Sequence, residues 1–263
     1  MRVKYRYVFP WTEARGAELR TLGLQVEPPG PPPAIPVGVC SLEEGHAGWS
    51  NASQLMRAWG GSPSVSTEFS LEEILTAKYC VMRGAHFNGY PQPEDSYADN
   101  TYVGKCPECG TSEGQKAPFR IRKSLKWGRN DFLQLFWVVD EYFMKDDAFE
   151  SFLAPLGVRG MMVEASNGQP LSGVVQLKVS DRVELDMGDA PGKVCAVCCR
   201  TRYSSHVRGF RPRPRGQPDF PVFRSSQFFG SGGKAFNEIV VRQEVVAAIK
   251  GAGLRGVEFF PCA

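Results

Sequence analysis

The chain has 263 residues, of which 42% are hydrophobic and 22% charged, the composition of a globular protein long enough to bury a core without covalent staples. A formal net charge of +3 is too small to point to nucleic acid by itself, and it excludes an acidic mimic of nucleic acid. No run of about 18 apolar residues is present, and Arg, Lys and Glu interrupt the opening segment MRVKYRYVFPWTEARG, so neither a membrane span nor a signal peptide is expected.

The expected compartment is therefore the cytoplasm, where thiols stay reduced, and eight cysteines there point to metal binding or chemistry rather than disulfides. In chain order, the pattern predicts a strand over Val3–Phe9 and a short helix around Ala14–Leu22. The proline-rich stretch EPPGPPPAIP (27–36) reads as a stiff extended connector. A short helix is predicted at Ser53–Trp59, and Ser70 with Glu72 and Glu73 marks the start of another. Ala77–Met82 reads as a strand and GYPQPEDSYADN (89–100) as a loop. The nearly continuous apolar run LQLFWVVD (133–140) predicts a buried strand, followed by a helix over Asp146–Leu153. Near the C-terminus a strand at Glu238–Arg242 leads into a helix at Gln243–Lys250, with Val245, Val246 and Ile249 on one side.

A weak internal repeat runs through the second part. The segment Gly157-Val158-Arg159-Gly160 after one predicted helix matches Gly253-Leu254-Arg255-Gly256 after the other, at an offset of 96 residues. The first cysteines of two Cys-x-x-Cys pairs, Cys106 and Cys195, are offset by 89. Two features at nearly the same offset suggest a duplicated unit. In each turn the first glycine can take the left-handed conformation that ends a helix, and the second allows close approach where the next strand begins.

A Cys-x-x-Cys turn places two thiolates on one side of a tight loop, where a zinc ion fits at about 2.3 Å from each sulfur. Cys106 and Cys109 form one such turn, with Pro107 and Gly110 favouring the bend, and Cys195 and Cys198 form the other. Together they would make a closed four-thiolate site that serves structure, since no position is left for water. Reduced structural thiols and a redox dithiol are the competing readings, and the redox one wants the pair to open a helix. Cys199 is a possible alternative ligand. Cys40, Cys80 and Cys262 read as small buried hydrophobes.

No catalytic constellation emerges. Only His46, His86 and His206 are present, and nothing marks a cysteine–histidine pair or a working pair of carboxylates. FFGSGGKAF (228–236) fails the phosphate-loop pattern at Phe228 and Ala235. RGFRPRPRG (208–216) concentrates Arg208, Arg211, Arg213 and Arg215 in a proline-rich loop that could be simply solvated or could contact phosphates.

Cys106-Pro107-Glu108-Cys109-Gly110, the later Cys195-Ala196-Val197-Cys198, and the ending from Ile239-Val240-Val241 to Gly253-Leu254-Arg255-Gly256-Val257-Glu258-Phe259 together resemble the double-CXXCG motif immunity proteins. These are mainly myxobacterial proteins, some of which protect a cell from swarming-inhibition toxins exchanged between siblings. The resemblance covers roughly residues 100–263, and Cys199 stands where the family has glycine. It implies a non-enzymatic cytoplasmic protein that binds and neutralises a cognate toxin, with structural zinc on Cys106, Cys109, Cys195 and Cys198.

The expected fold is α+β: an N-terminal α+β region over residues 1–98, then a double-CxxC domain over 99–263 in which two related strand-helix-strand units join at a zinc-ribbon-like site. Candidate partner contacts are Arg208, Arg211, Arg213, Arg215, Phe228 and Phe229, since loops on a rigid scaffold are where partner specificity resides. The alternative is a zinc-ribbon nucleic-acid-binding protein that uses the Arg208–Arg215 loop.

Overall fold

A computed structural model describes residues 1–30, 36–122, 125–230 and 235–263 as a mixed α+β protein, mostly strands. The middle of the proline-rich connector (31–35) and of the glycine loop (231–234) lies outside the described residues. Contacts divide the chain into one unit of residues 1–70 with 206–209 and a second of residues 71–205 with 210–263.

The first unit is an antiparallel four-stranded sheet in the order Val26–Glu27, Val37–Glu43, Arg2–Pro10, Ser62–Glu68. The central strand carries Val3, Tyr7 and Phe9 inward. Two helices cover that face. Glu13–Thr21 is capped by Thr12, whose hydroxyl accepts from the Arg15 amide at 3.2 Å, and Trp49–Ala58 contributes Ala52 and Met56. Leu19, Ala52 and Met56 pack with Tyr7, Phe9, Cys40 and Leu42.

The second unit holds two larger sheets. One runs in the order Phe132–Leu133, Phe143–Met144, Pro170–Leu177, Gly160–Ala165, Arg120–Ile121, Pro91–Gln92. The other runs Gly192–Val194, Thr201–Tyr203, Val222–Phe229, Phe236–Arg242, Tyr79–Gly84, Val257–Pro261, with Arg182–Val183 alongside Val222–Phe229. The grouping therefore starts at Leu71 rather than at residue 99, because Tyr79–Gly84 is an inner strand of the second sheet, paired on both sides. A shared core joins Met82, Ile239 and Phe259 of one sheet to Phe132, Met144 and Leu177 of the other, with Val245, Val246 and Ile249 of the helix Gln243–Gly251 packed in.

Two helices of this unit connect strands that flank an antiparallel third. Asp146–Phe152 links Phe143–Met144 to Gly160–Ala165 around Pro170–Leu177, and Gln243–Gly251 links Phe236–Arg242 to Val257–Pro261 around Tyr79–Gly84. Their C-terminal turns also match. Gly157 (φ 79°) and Gly253 (φ 66°) are left-handed, their amides donate to Ala154 O and Lys250 O, and the next amides, Val158 and Leu254, donate to Leu153 O and Ile249 O. The sequence step is 96 in every case.

Gly256 shows the close approach expected of the second glycine. Its φ is 104°, and a Cβ there would lie 2.1 Å from the Phe132 carbonyl oxygen. Gly256→Ala is expected to destabilise the fold by about 2–3 kcal/mol, from backbone strain and displacement of the neighbouring strand. Urea unfolding checks this.

The apolar run at 133–140 is not a strand beyond Leu133. The Val138 amide donates to Leu135 O at 3.2 Å and the Gln134 side-chain amide donates to Val139 O, so the chain turns back. Leu135 and Val138 point inward, while Phe136, Trp137 and Val139 are exposed. The predicted loop at 89–100 holds the short strand Pro91–Gln92 and the first residues of the helix Tyr97–Thr101.

Candidate metal centre

The two Cys-x-x-Cys turns sit at the tips of two antiparallel hairpins. The first pairs Tyr102–Val103 with Gly114–Gln115, and the second pairs Gly192–Val194 with Thr201–Tyr203. Within each tip the hydrogen bonds correspond one for one. Cys106 N–H donates to Thr111 O (2.8 Å) as Cys195 N–H does to Arg200 O (3.0 Å), and Gly110 N–H donates to Cys106 O (2.9 Å) as Cys199 N–H does to Cys195 O (2.9 Å). Val103 opposite Gly114 answers to Gly192 opposite Tyr203. Each correspondence is a step of 89 residues.

This folding brings the four expected ligand residues together. The Cys106 and Cys195 sulfurs lie 3.8 Å apart, those of Cys109 and Cys198 lie 3.5 Å apart, and all four are within 4.8 Å of one another. A tetrahedral ion bound at about 2.3 Å from each sulfur requires sulfur–sulfur separations of about 3.8 Å, so the quartet fits a metal ion. Cys106, Cys109 and Cys195 are buried and Cys198 is half-buried.

Two neighbours hold the quartet, and sequence reasoning missed both. Thr111 is fully buried, with its hydroxyl 3.3 Å from the Cys109 sulfur and 3.6 Å from that of Cys198. The Arg200 guanidinium donates to Thr111 Oγ1 (3.2 Å), to Gly104 O (3.3 Å) and to Glu113 Oε1 (3.1 Å), tying the second hairpin to the first and bringing a positive charge beside the sulfurs. The Arg200 amide, with the Thr111 hydroxyl, brings the Cys198 thiol down to about 6. Favouring a thiolate in this way suits a metal ligand. A signal was available in the step of 89, which places both residues in the position two after a second cysteine.

Cys199 is exposed, lies outside the quartet and has φ 58°, the left-handed conformation that Gly110 (φ 70°) adopts in the first hairpin. It occupies a glycine position rather than a ligand position. Cys199→Gly is expected to leave metal content unchanged and to raise stability by about 1 kcal/mol, by removing a Cβ from left-handed backbone. Metal analysis and thermal unfolding of the variant check both.

Cys40, Cys80 and Cys262 stay apart as packing residues. Burial pushes the Cys40 thiol up to about 11 and that of Cys80 up to about 12, and burial chiefly raises that of Cys262. His46 serves its own loop by accepting from the Gly48 amide, and the His86 ring bonds the Lys126 carbonyl.

The expected partner contacts fare differently. Arg211 is only 5% exposed, with its guanidinium 4.7 Å from the centre of the Phe260 ring, so it is no surface contact. Phe229 is fully buried in the core of the second sheet, and Phe228 is half-buried with the Arg182 guanidinium over its ring. Arg208 pairs with Glu44 (2.6 Å), Arg213 with Asp186 (3.6 Å) and Arg215 with Glu184 (3.1 Å). The exposed guanidiniums of the arginine-rich segment are thus matched locally by carboxylates.

A polar cavity of about 370 Å³ opens beside the first hairpin, lined among others by Tyr102, Gln115, Asp140, Glu141, Arg182 and Arg224. On its wall the Arg224 guanidinium donates to Asp140 (3.0 Å), to Glu141 (2.6 Å) and to Val179 O (2.7 Å). Glu141 also accepts from Gln176, which bonds Gln115 in turn. Burial pushes the Glu141 carboxyl up to about 7 against the pull of Arg224. These polar groups satisfy one another, and among them nothing is arranged as a nucleophile with a base.

Comparisons with protein-family models, curated proteins and solved structures gave no match.

Proposed function

We propose that the cysteine quartet holds one structural zinc ion, and that the protein works by binding rather than catalysis, as an immunity protein of the double-CXXCG type that neutralises a cognate toxin domain. The observation that supports this best is the quartet itself, four sulfurs within 4.8 Å carried by two hairpins with the same hydrogen-bond pattern. An all-sulfur tetrahedral site suits zinc over harder divalent ions. With four protein ligands no position is left for water or substrate, so the ion's contribution is to folding.

The steps of 89 in the hairpins and 96 in the helix ends, together with the shared arrangement of flanking strands, support two copies of one strand-helix-strand unit clamped by the ion. The test of the functional reading is co-expression with the toxin encoded beside this gene. Rescue of the host is the expected outcome, and a host that dies regardless refutes the immunity role. Metal analysis tests the zinc separately, with one ion per chain expected. The nucleic-acid reading draws no support from the arginine-rich segment, whose charges are locally paired or buried.

A further inference from the structure

The turn that replaces the predicted strand at 133–140 builds a surface of its own. Phe87, Tyr90, Phe136 and Trp137 are 38–50% exposed, although large apolar side chains usually go inside. They form a continuous row. Phe87 stacks near Phe136 (6.5 Å between ring centres), Phe136 meets Tyr90 (4.9 Å), Tyr90 meets Trp137 (4.6 Å), and Trp137 meets Tyr97 (6.4 Å). The row is rigidly founded. Phe136 N–H donates to Gly89 O, and the Tyr97 hydroxyl donates to Trp137 O.

Trp137 has φ 69°, left-handed backbone in which a tryptophan is strained and a glycine is not. The chain thus holds its largest ring out in water at a position where glycine would fold more easily. Contiguous exposed aromatics of this kind mark interaction surfaces.

The charges at the two ends of the row indicate what covers it. Lys126 is fixed at the Phe87 end, its amide donating to the Asn88 side chain (2.7 Å) and its carbonyl bonding the His86 ring (2.7 Å). Asp95 stands two residues from Tyr97 at the other end. Both are exposed, and neither has an ion-pair partner among the described residues. A row with a cation at one end, an anion at the other and Tyr90 in the middle is complementary to itself under a two-fold rotation, the symmetry of an isologous dimer contact. We infer that a second copy of this chain covers the row, ring against ring about Tyr90, with Lys126 of each copy facing Asp95 of the other.

Sedimentation of the purified full chain from about 1 μM to about 100 μM tests this, with a reversible monomer–dimer equilibrium expected in that range. Trp137→Gly is expected to weaken the dimer about tenfold or more without lowering the monomer's melting temperature, because glycine suits the backbone there. Lys126→Glu and Asp95→Lys are each expected to weaken it, and the double variant to restore it. A chain that stays monomeric throughout leaves the row to a different protein and overturns the proposal. So does a dimer that Trp137→Gly or both single charge reversals leave intact. Neither result bears on toxin neutralisation, which the co-expression assay reads by itself.

Discussion

Removing the metal from the Cys106, Cys109, Cys195 and Cys198 centre is expected to cost on the order of 10 kcal/mol of folding free energy and to release the two hairpins. Each hairpin has only two or three residues per strand and would be marginal alone. Outside the sulfurs, the Arg200 contacts to Gly104, Thr111 and Glu113 link them. Cys109→Ser should lose the ion and reproduce the effect of a strong chelator, whereas Cys199→Gly should bind metal as the parent does. Acidification should also release the ion, since protons compete for the thiolates. Metal stoichiometry and circular dichroism before and after chelation are the measurements. Protein that carries no metal when isolated under reducing conditions, or that melts unchanged after chelation, would contradict the structural role.

The second large effect is expected at Arg224. Above about pH 7, where Glu141 is ionised, Arg224→Ala should destabilise the protein by about 3–5 kcal/mol, because it leaves the Glu141 and Asp140 carboxylates without their cation in a buried site. The same centre makes stability depend on pH. Glu141 is 2% exposed, and burial raises its carboxyl from 4.5 to about 7. Below the lower value the group is protonated in both folded and unfolded chains and contributes nothing to the difference. Between the two values the unfolded chain releases a proton that the folded one keeps, so rising pH lowers stability by about 3 kcal/mol, complete above about pH 7. Glu141→Gln should remove this slope, and Arg224→Ala should extend it to higher pH. Urea unfolding at about pH 5, 6, 7 and 8 reads both. A parent protein with flat stability across that window would show that Glu141 is not held protonated.

Much of the local structure was legible in the chain. The strand at Arg2–Pro10 and the helices at Glu13–Thr21, Trp49–Ala58, Asp146–Phe152 and Gln243–Gly251 follow from apolar periodicity and turn residues within short windows. The four clustered cysteines were legible because Cys-x-x-Cys is a local device for presenting two sulfurs, whereas Cys199 read both as a possible ligand and as standing where the family has glycine, and only its left-handed backbone outside the quartet decided for the second. The strands Val37–Glu43, Ser62–Glu68, Pro170–Leu177 and Val222–Phe229 were not, since they carry small, polar or charged residues whose place is set by their partners across the sheet.

What the sequence determined by itself, then, was chemistry held in short segments: two thiolate turns, their spacing, and the helix-ending glycines. Only the tertiary structure decided which sulfurs meet, that Arg200 and Thr111 brace them, and that Arg224 serves two carboxylates at once, because each depends on residues some 80–90 positions apart along the chain. The apolar run at 133–140 shows the same division. Its composition called for burial, but a Gln134 side chain that bonds the Val139 carbonyl turns the backbone, and the turn sends Phe136 and Trp137 outward. Hydrophobicity measures a preference for leaving water, whereas the direction in which a side chain points is settled by the backbone hydrogen bonds available around it.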